Sequence, residues 1–405
     1  MKNINDTDTS PTLVQHSSMP NGYKKTAVGI IPNNWDVKKL GEIAKVKHGR
    51  DQKKVESING IYPILGTGGI IGKTNEYLYD KPSVLIGRKG TIDKPRFMDT
   101  PFWTVDTLFY TEITSEINPL WLFNFFKTID WYYYNQATGV PSLSASVISA
   151  IKLPIPPLPE QQKIAEILST WDKAISLTKN SIETLKARNK GLAQQLLTGK
   201  KKVSGFSEKW ETINLGKIAT RITTKNEELD DTVVTISAQR GFVLQEDFFN
   251  KRVASDTLSG YYLIKKGQFA YNKSYSNGYP MGAFKRLNDF EKAVVTTLYI
   301  CFEFKENVCS DYMVHFFENG FMINNLMKVA KEGGRAHGLL NIGLEDFMNL
   351  ELTIPSYKEQ TAISQILETA DQELKSYRAK LEALQNQKKG LMQQLLTGKI
   401  RVNVN

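Results

Sequence analysis

IPPLPEQQKIAEILSTWDKAISLTKNSIETLKARNKGLAQQLLTGKKKV, residues 155–203, recurs 199 residues later as IPSYKEQTAISQILETADQELKSYRAKLEALQNQKKGLMQQLLTGKIRV, residues 354–402. Identical pairs include Glu160/Glu359, Gln161/Gln360, Ile164/Ile363, Leu168/Leu367, Asp172/Asp371 and the whole QQLLTGK ending. In the first copy Ile164, Leu168, Trp171, Ile175, Thr178, Ile182, Leu185, Asn189, Leu192 and Leu196 follow one another in alternating steps of four and three. That spacing is an unbroken heptad seam. The second copy keeps the register at Ile363, Leu367, Ala370, Leu374, Tyr377, Leu381, Leu384, Lys388, Leu391 and Leu395. Pro159 and Glu160 suit a first helical turn, and Gly199 and Gly398 suit C-terminal caps. Each copy is therefore predicted as one helix of about 38 residues, roughly 57 Å long at 1.5 Å per residue.

A helix lying on its own domain needs a wide apolar stripe, whereas these helices show a narrow seam flanked by charge. Mutual pairing is the reading adopted, with separate packing on each domain as the alternative. The first helix leads the chain from one globular region to the next and the second starts there, so the pairing is expected to be antiparallel. Asn189 and Lys388 are polar positions in the seam near the C-terminal ends, to be hydrated by fraying or a neighbouring domain, with fixing of register as the other role open to them.

A second internal match, at an offset of 175, aligns WDVKKLGEIA from Trp35 with WETINLGKIA from Trp210. The chain is thus one unit written twice. Strand-like runs in the first region are YPILG from Tyr62, SVLIGRKG from Ser83 and FWTVDTLFYTE from Phe102, followed by a predicted helix over 119–135 capped by Asn118. The second region repeats the order with VVTIS from Val233, GQFAYNKS from Gly267 and VVTTLYICFEF from Val294, then a helix after Ser310. The expected fold class is α+β. Two similar globular domains at 22–154 and 203–353 alternate with long helices at 155–202 and 354–405, expected as an antiparallel coiled coil, in an internal pseudo-two-fold repeat, after a leader over 1–21 that is expected to be disordered.

The 405 residues are 41% hydrophobic and suffice for several cores. No run is apolar enough to span a bilayer and the opening stretch lacks the apolar segment of a signal peptide, which points to the cytoplasm. Cys301 and Cys309 have no CxxC spacing and read as buried thiols, and the four histidines complete no zinc pattern. The net charge of +10 is uneven, since residues 203–353 carry 17 basic and 19 acidic side chains against 18 and 14 in 1–154. DNA binding by the second region therefore requires a local patch.

No active site can be assembled from the motifs. GTGGIIGKT, residues 66–74, imitates a phosphate-binding loop, but Thr67 stands where the first glycine belongs and the sequence beyond is strand-like rather than helical. No (Asn/Asp/Ser)-Pro-Pro-aromatic methyltransferase tetrapeptide occurs, and no nuclease carboxylate cluster is visible. Basic, polar and aromatic residues on glycine-rich loops remain as candidate DNA contacts: Lys73, Arg88, Lys89, Lys94, Ser142 and Ser144 in the first region, and Arg240, Tyr271, Asn272, Lys273, Ser274, Tyr275, Arg335 and His337 in the second. Arg and Lys bond guanine edges or phosphates, Asn reads adenine, and Ser or Tyr holds phosphate oxygens. Solvated surface is the alternative for any one of them.

The entry segment GYKKTAVGIIPNNWDVKKLGEIA, the interior SVLIGRKGTI, the closing GVPSLSASVI, the helix start IPPLPEQQKIAEIL and the two QQLLTGK ends together resemble type I restriction-modification specificity subunits over nearly the whole chain from about residue 22. The resemblance implies a non-catalytic subunit with two target recognition domains, each reading half of a split double-stranded DNA site. It also implies long helices that act as a ruler and dock two methyltransferase subunits, with restriction/translocase subunits completing the complex. No cofactor is expected in this chain; S-adenosylmethionine, ATP and Mg would belong to those partners. A standalone DNA-binding regulator and a coiled-coil scaffold without DNA contact are the competing classes.

Overall fold

The computed structural model describes residues 19–251, 253–255, 257–335 and 339–404, so most of the expected leader and His337 lie outside the described residues. The chain forms two compact units, one made of residues 1–178 with 380–405 and the other of residues 179–379.

The centre of the first unit is a four-stranded antiparallel sheet. Its strands are β1 (Ala44–His48), β4 (Ser83–Gly87), β5 (Arg96–Met98) and β6 (Leu108–Ile113), in the order β1-β6-β4-β5. Every residue of β4 is buried, as its continuous apolar run requires. The β4/β6 ladder ends at Phe109/Ile86, and beyond it two buried hydroxyls take over. Ser83 Oγ donates to the Thr111 carbonyl at 2.8 Å, while Thr111 Oγ1 accepts the Val84 amide at 2.9 Å. A hairpin of β2 (Tyr62–Gly66) and β3 (Gly69–Thr74) stands beside this sheet, with a bulge at Ile71. Helix α1 (Pro119–Phe126) starts where Asn118 Oδ1 accepts the Trp121 amide, as its sequence foretold. It is shorter than the predicted 119–135. It ends at Phe126 with Lys127 as its cap, and Asp130 then caps a separate 3-10 turn at Trp131–Tyr134, its Oδ1 accepting the Tyr132 amide at 3.1 Å.

The first long helix, α2, covers Leu158–Leu196, 39 residues. The second unit then repeats the plan. Strands β7 (Ala219–Ile222), β10 (Phe269–Asn272), β11 (Ala283–Arg286) and β12 (Ile300–Phe304) form an antiparallel sheet in the same order, β7-β12-β10-β11. The accompanying hairpin is β8 (Val234–Ser237) with β9 (Gly241–Leu244). Helix α3 (Ser310–Glu318) lies against β11, and the second long helix, α4, covers Tyr357–Leu395. Tyr271, Phe284, Phe302, Phe317 and Phe347 pack ring on ring in the core. Both cysteines are free and buried, and burial pushes the Cys301 thiol up to about 12.

Each unit contains half of each long helix, and within each unit the halves run antiparallel. In the first unit Glu160 meets Arg401 and Asp172 meets Lys388; in the second Arg188 meets Glu373 and Asn189 meets Ala370. Rising numbers on one helix pair with falling numbers on the other. The seam positions turn inward: Ile164, Leu168, Ile175, Ile182, Leu185, Leu196, Ile363, Leu367 and Leu395 are buried, while Trp171, Leu192, Leu374, Leu381, Leu384 and Leu391 are half-buried. The separate-packing alternative survives only at the helix ends. There Ile164, Leu168 and Leu395 enter the core of the first unit, and Leu196, Ile363 and Leu367 that of the second. The two polar seam residues are satisfied. Lys388 Nζ lies 2.6 Å from Asp172 Oδ1, and Asn189 Nδ2 donates to the Ala370 carbonyl at 2.8 Å.

A buried carboxylate anchors the first turn of each long helix. Glu160, 1% exposed, accepts from Trp35 Nε1 at 2.9 Å and from Arg401 through both oxygens, at 2.7 and 2.9 Å. Glu359, equally buried, accepts from Trp210 Nε1 at 3.2 Å, but its cation is Lys202 at 3.8 Å and its Oε1 has no partner. The tryptophan of each set also packs on the glycine ending a long helix: a Cβ on Gly398 would sit 3.2 Å from Trp35 and 2.5 Å from Pro32, and one on Gly199 would sit 3.3 Å from Trp210. Both glycines have positive φ, 73° and 69°, a conformation that strains any side chain, and at Gly398 space excludes one as well.

The two anchors are unequal, because a guanidinium satisfies both carboxylate oxygens where an ammonium satisfies one. Lys202→Arg is expected to occupy Glu359 Oε1 and raise the stability of the second unit by about 1 kcal/mol, read by urea unfolding. No gain, or a loss, would show that Oε1 needs no protein donor.

Candidate nucleic-acid interface

Three loops converge in the first unit. They are the two-residue turn Thr67–Gly68 between β2 and β3, residues 88–95 between β4 and β5, and residues 139–143 before the helix Ala145–Ala150. Arg96 Nη2 donates to the Thr67 carbonyl at 3.3 Å, the Gly90 amide to the Pro141 carbonyl at 2.9 Å, and the Leu143 amide to the Arg88 carbonyl at 2.9 Å. Lys89 and Ser142 form a β-bridge. Arg88, Lys89 and Ser142 are therefore brought together from positions more than fifty residues apart. Arg88 Nη1 is steadied by the Asp106 carbonyl at 3.0 Å and by Asp106 Oδ2 at 3.5 Å.

The same three loops converge in the second unit. The turn 238–240 between β8 and β9 meets residues 273–282 between β10 and β11, where Gln239 Nε2 donates to the Asn277 carbonyl at 3.0 Å. The strand Leu339–Asn341 joins them through the Leu340 amide, which donates to the Lys273 carbonyl at 3.0 Å. That bond is the counterpart of Leu143 to Arg88, so Lys273 occupies the place of Arg88. Arg240, exposed, lies over the Phe248 ring at 5.7 Å. Asn272 Oδ1 accepts the Ser274 amide at 3.0 Å, and Tyr275 projects with 66% exposure.

The other candidates are placed differently. Lys94 is exposed in the loop between β4 and β5. Lys73 is exposed on β3, at the end of the hairpin away from its turn, so residues 66–74 form a hairpin and not a strand followed by a helix. Ser144 is a helix cap: its Oγ accepts the Val147 amide at 3.3 Å. Arg335 ends the strand Lys331–Arg335, which pairs with Leu339–Asn341. Tyr271 requires correction. It is fully buried, its hydroxyl donates to the Met281 carbonyl at 2.7 Å, and burial holds its pKa above the usual phenol range. It is a core residue, inaccessible to DNA.

Sequence reasoning missed Thr67, Gln239 and Asn277, the residues that tie each turn to its neighbouring loop. The adjacency of Gln239 to Arg240 in a short turn was their only local signal. Among the described residues no cluster of His, Cys, Asp and Glu is arranged to hold a metal ion, and no helix is long and apolar enough to cross a membrane. The loops offer amide, hydroxyl and cationic donors, which suits recognition of an anionic polymer displaying base edges.

Comparison with known proteins agrees. The family described as type I restriction modification DNA specificity domain matches twice, over residues 32–187 and 207–386, and the chain belongs to that family, a non-catalytic one. A type I restriction enzyme MjaVIII specificity subunit of Methanocaldococcus jannaschii is 26% identical, over 92% of this chain and 94% of that protein. The EcoprrI specificity subunit of Escherichia coli is 29% identical over 33% of this chain and 35% of its own. In fold, the chain resembles the crystal structure of a type I restriction-modification S subunit from M. genitalium, with TM-score 0.57 and 16% identity over 90% of this chain and 96% of that one.

Tyr271→Ala is expected to cost roughly 3–5 kcal/mol as a core truncation, and Ser144→Ala about 1 kcal/mol as a lost cap. Chemical denaturation of the two variants measures both. A Tyr271→Ala protein of unchanged stability would return that residue to the surface.

Proposed function

We propose that this chain selects DNA sequence for a complex whose partners perform the chemistry. The observation that carries the reading is the recurrence of one three-loop cluster in each unit, built on the same sheet but with different residues. The first unit presents a Thr67–Gly68 turn beside exposed Ile70 and Ile71, together with Arg88, Lys89 and Lys94. Its apolar hairpin suits thymine methyl groups and its cations suit guanine or phosphate. The second presents Gln239, Arg240 and Tyr275 with Asn272, Lys273 and Ser274 beneath, a set richer in hydrogen-bonding side chains. The two halves of the target accordingly differ, which makes the site asymmetric and bipartite.

Two methyltransferase subunits dock on this chain, using S-adenosylmethionine, and restriction/translocase subunits use ATP and Mg. The long helices set the distance between the half-sites, and the complex works in the cytoplasm. Support comes from family membership and from two helices of 39 residues each, roughly 58 Å at 1.5 Å per residue.

Methylation-site sequencing of a genome expressing the chain with its methyltransferase tests the reading directly. Replacing residues 22–154 with the corresponding region of a related subunit is expected to change one half of the methylated site and leave the other intact; a change in both halves would sink independent reading. Inserting four residues in one long helix adds about 6 Å, close to one turn, and keeps the seam as a stutter. The expected site keeps both halves, with a spacer longer by about one or two base pairs at roughly 3.4 Å each. An unaltered spacer in an insertion variant that still methylates would defeat the ruler.

A further inference from the structure

The loop 273–282 of the second unit is tied to its surroundings by several hydrogen bonds. Three have been described: the Lys273 carbonyl receives Leu340, the Asn277 carbonyl receives Gln239, and the Met281 carbonyl receives the Tyr271 hydroxyl. Another lies on the return limb, where Tyr279 donates its hydroxyl to Glu318 Oε2 at 2.7 Å. Glu318 also pairs through Oε1 with Lys285 of β11, whose side chain is 9% exposed. Lys285 Nζ in turn donates to the Tyr279 hydroxyl at 3.3 Å and stands 4.8 Å from the centre of its ring. Burial and the Glu318 carboxylate both raise the Tyr279 pKa, so its hydroxyl stays protonated beyond the ordinary phenol range.

Glu318 is the last residue of α3, and both ends of that helix are tied down. At its start the Cys309 amide donates to Gln360 Oε1 at 2.9 Å, in the first turn of α4. Near that end Arg286 of β11 pairs with Asp311 at 2.7 Å. A continuous route of short polar contacts therefore runs from the second long helix through α3 to the loop that carries Tyr275. In the first unit the Asn118 amide donates likewise to Gln161 Oε1 at 2.8 Å, but the link from α1 to β5 is the apolar contact of Phe123 with Phe97, 5.7 Å between ring centres.

We infer that Glu318 is the positioning residue of the second unit's reading loop: by holding Tyr279 and Lys285 together it fixes where Tyr275 and its neighbours meet the bases, and discrimination at that half-site depends on it. This rests on the DNA-reading function proposed above. Glu318 itself touches no DNA. Its carboxylate is spent on the two side chains it holds, and Lys285, so paired, supplies no charge to a phosphate.

The test uses the full complex with its methyltransferase partners and sequences the methylated sites made by wild type, Glu318→Ala, Tyr279→Phe and Glu318→Gln. Glu318→Ala releases both partners, and its preference for the cognate half-site of the second unit is expected to fall by about tenfold or more, the scale of one lost base discrimination. Tyr279→Phe, which removes only a hydroxyl, is expected to shift preference in the same direction. Glu318→Gln restores an acceptor for Tyr279 and is expected to recover most of the discrimination. Preference at the half-site of the first unit stays at the wild-type level throughout. Unchanged discrimination in folded Glu318→Ala, or equal relaxation at both half-sites, would overturn the assignment. If Glu318→Ala does not fold, Tyr279→Phe decides by the same two criteria. A wild-type complex with no sequence preference would instead overturn the DNA-reading function, and this inference with it.

Discussion

Two adjacent side chains at the first turn of each long helix hold the rest in place. The carboxylate of Glu160 gathers Trp35 from upstream and Arg401 from far downstream, while Gln161 receives the Asn118 amide and donates to the Pro156 carbonyl at 2.9 Å. Glu359 and Gln360 do the same with Trp210, Lys202, Cys309 and the Pro355 carbonyl. Burying a carboxylate and an amide is costly unless their polar atoms are matched, a condition that Glu160 meets at both oxygens and Glu359 at one, so these sites restrict the arrangement of their neighbours. The start of each long helix, the tryptophan upstream and the start of α1 or α3 are thereby tied to one another.

This explains how two units of one plan carry different surfaces. Sheet order, hairpin and loop convergence recur because the anchors recur, and the loops beyond them are free to differ in length and chemistry. The first unit joins β4 to β5 by eight residues, 88–95, whereas the second joins β10 to β11 by ten, 273–282, with Tyr279 of that loop held by Glu318. Side chains with almost no exposure hold the common plan together, while the loops that differ between the units are tied to their neighbours by a few hydrogen bonds.

What was legible in the sequence was whatever has a local period. A seam repeating every 3.5 residues needs no distant partner to be seen, and it located both helices and their polar interruptions. The strand FAYN held a readable signal that was misjudged: Phe269 and Tyr271 share one face by the two-residue alternation, so Tyr271 belongs to the core and Asn272 points the other way. The helix over 119–135 was overdrawn because Asp130 looks like an ordinary polar residue until its side chain is seen capping a new turn. The roles of Glu160 and Gln161 were invisible, although their repetition was noticed. Their partners lie 125, 241 and 43 residues away, and no pattern in a single sequence links such positions. The clamp of Gln239 on Asn277 was hidden for the same reason.

The division of the chain between its units bears on how the protein is made. The second unit is one contiguous segment, whereas the first needs residues 380–405 to complete it. At about 5–20 residues per second, the ribosome takes roughly 10–40 s to cover the stretch between Thr178 and Lys380. Throughout that interval Ile164, Leu168 and Leu153 lack Met392, Leu395 and Leu396, the residues that complete their core, and Glu160 waits without Arg401. The first half to emerge from the ribosome is therefore the last to be finished, and the nascent chain carries an open apolar face for most of its synthesis.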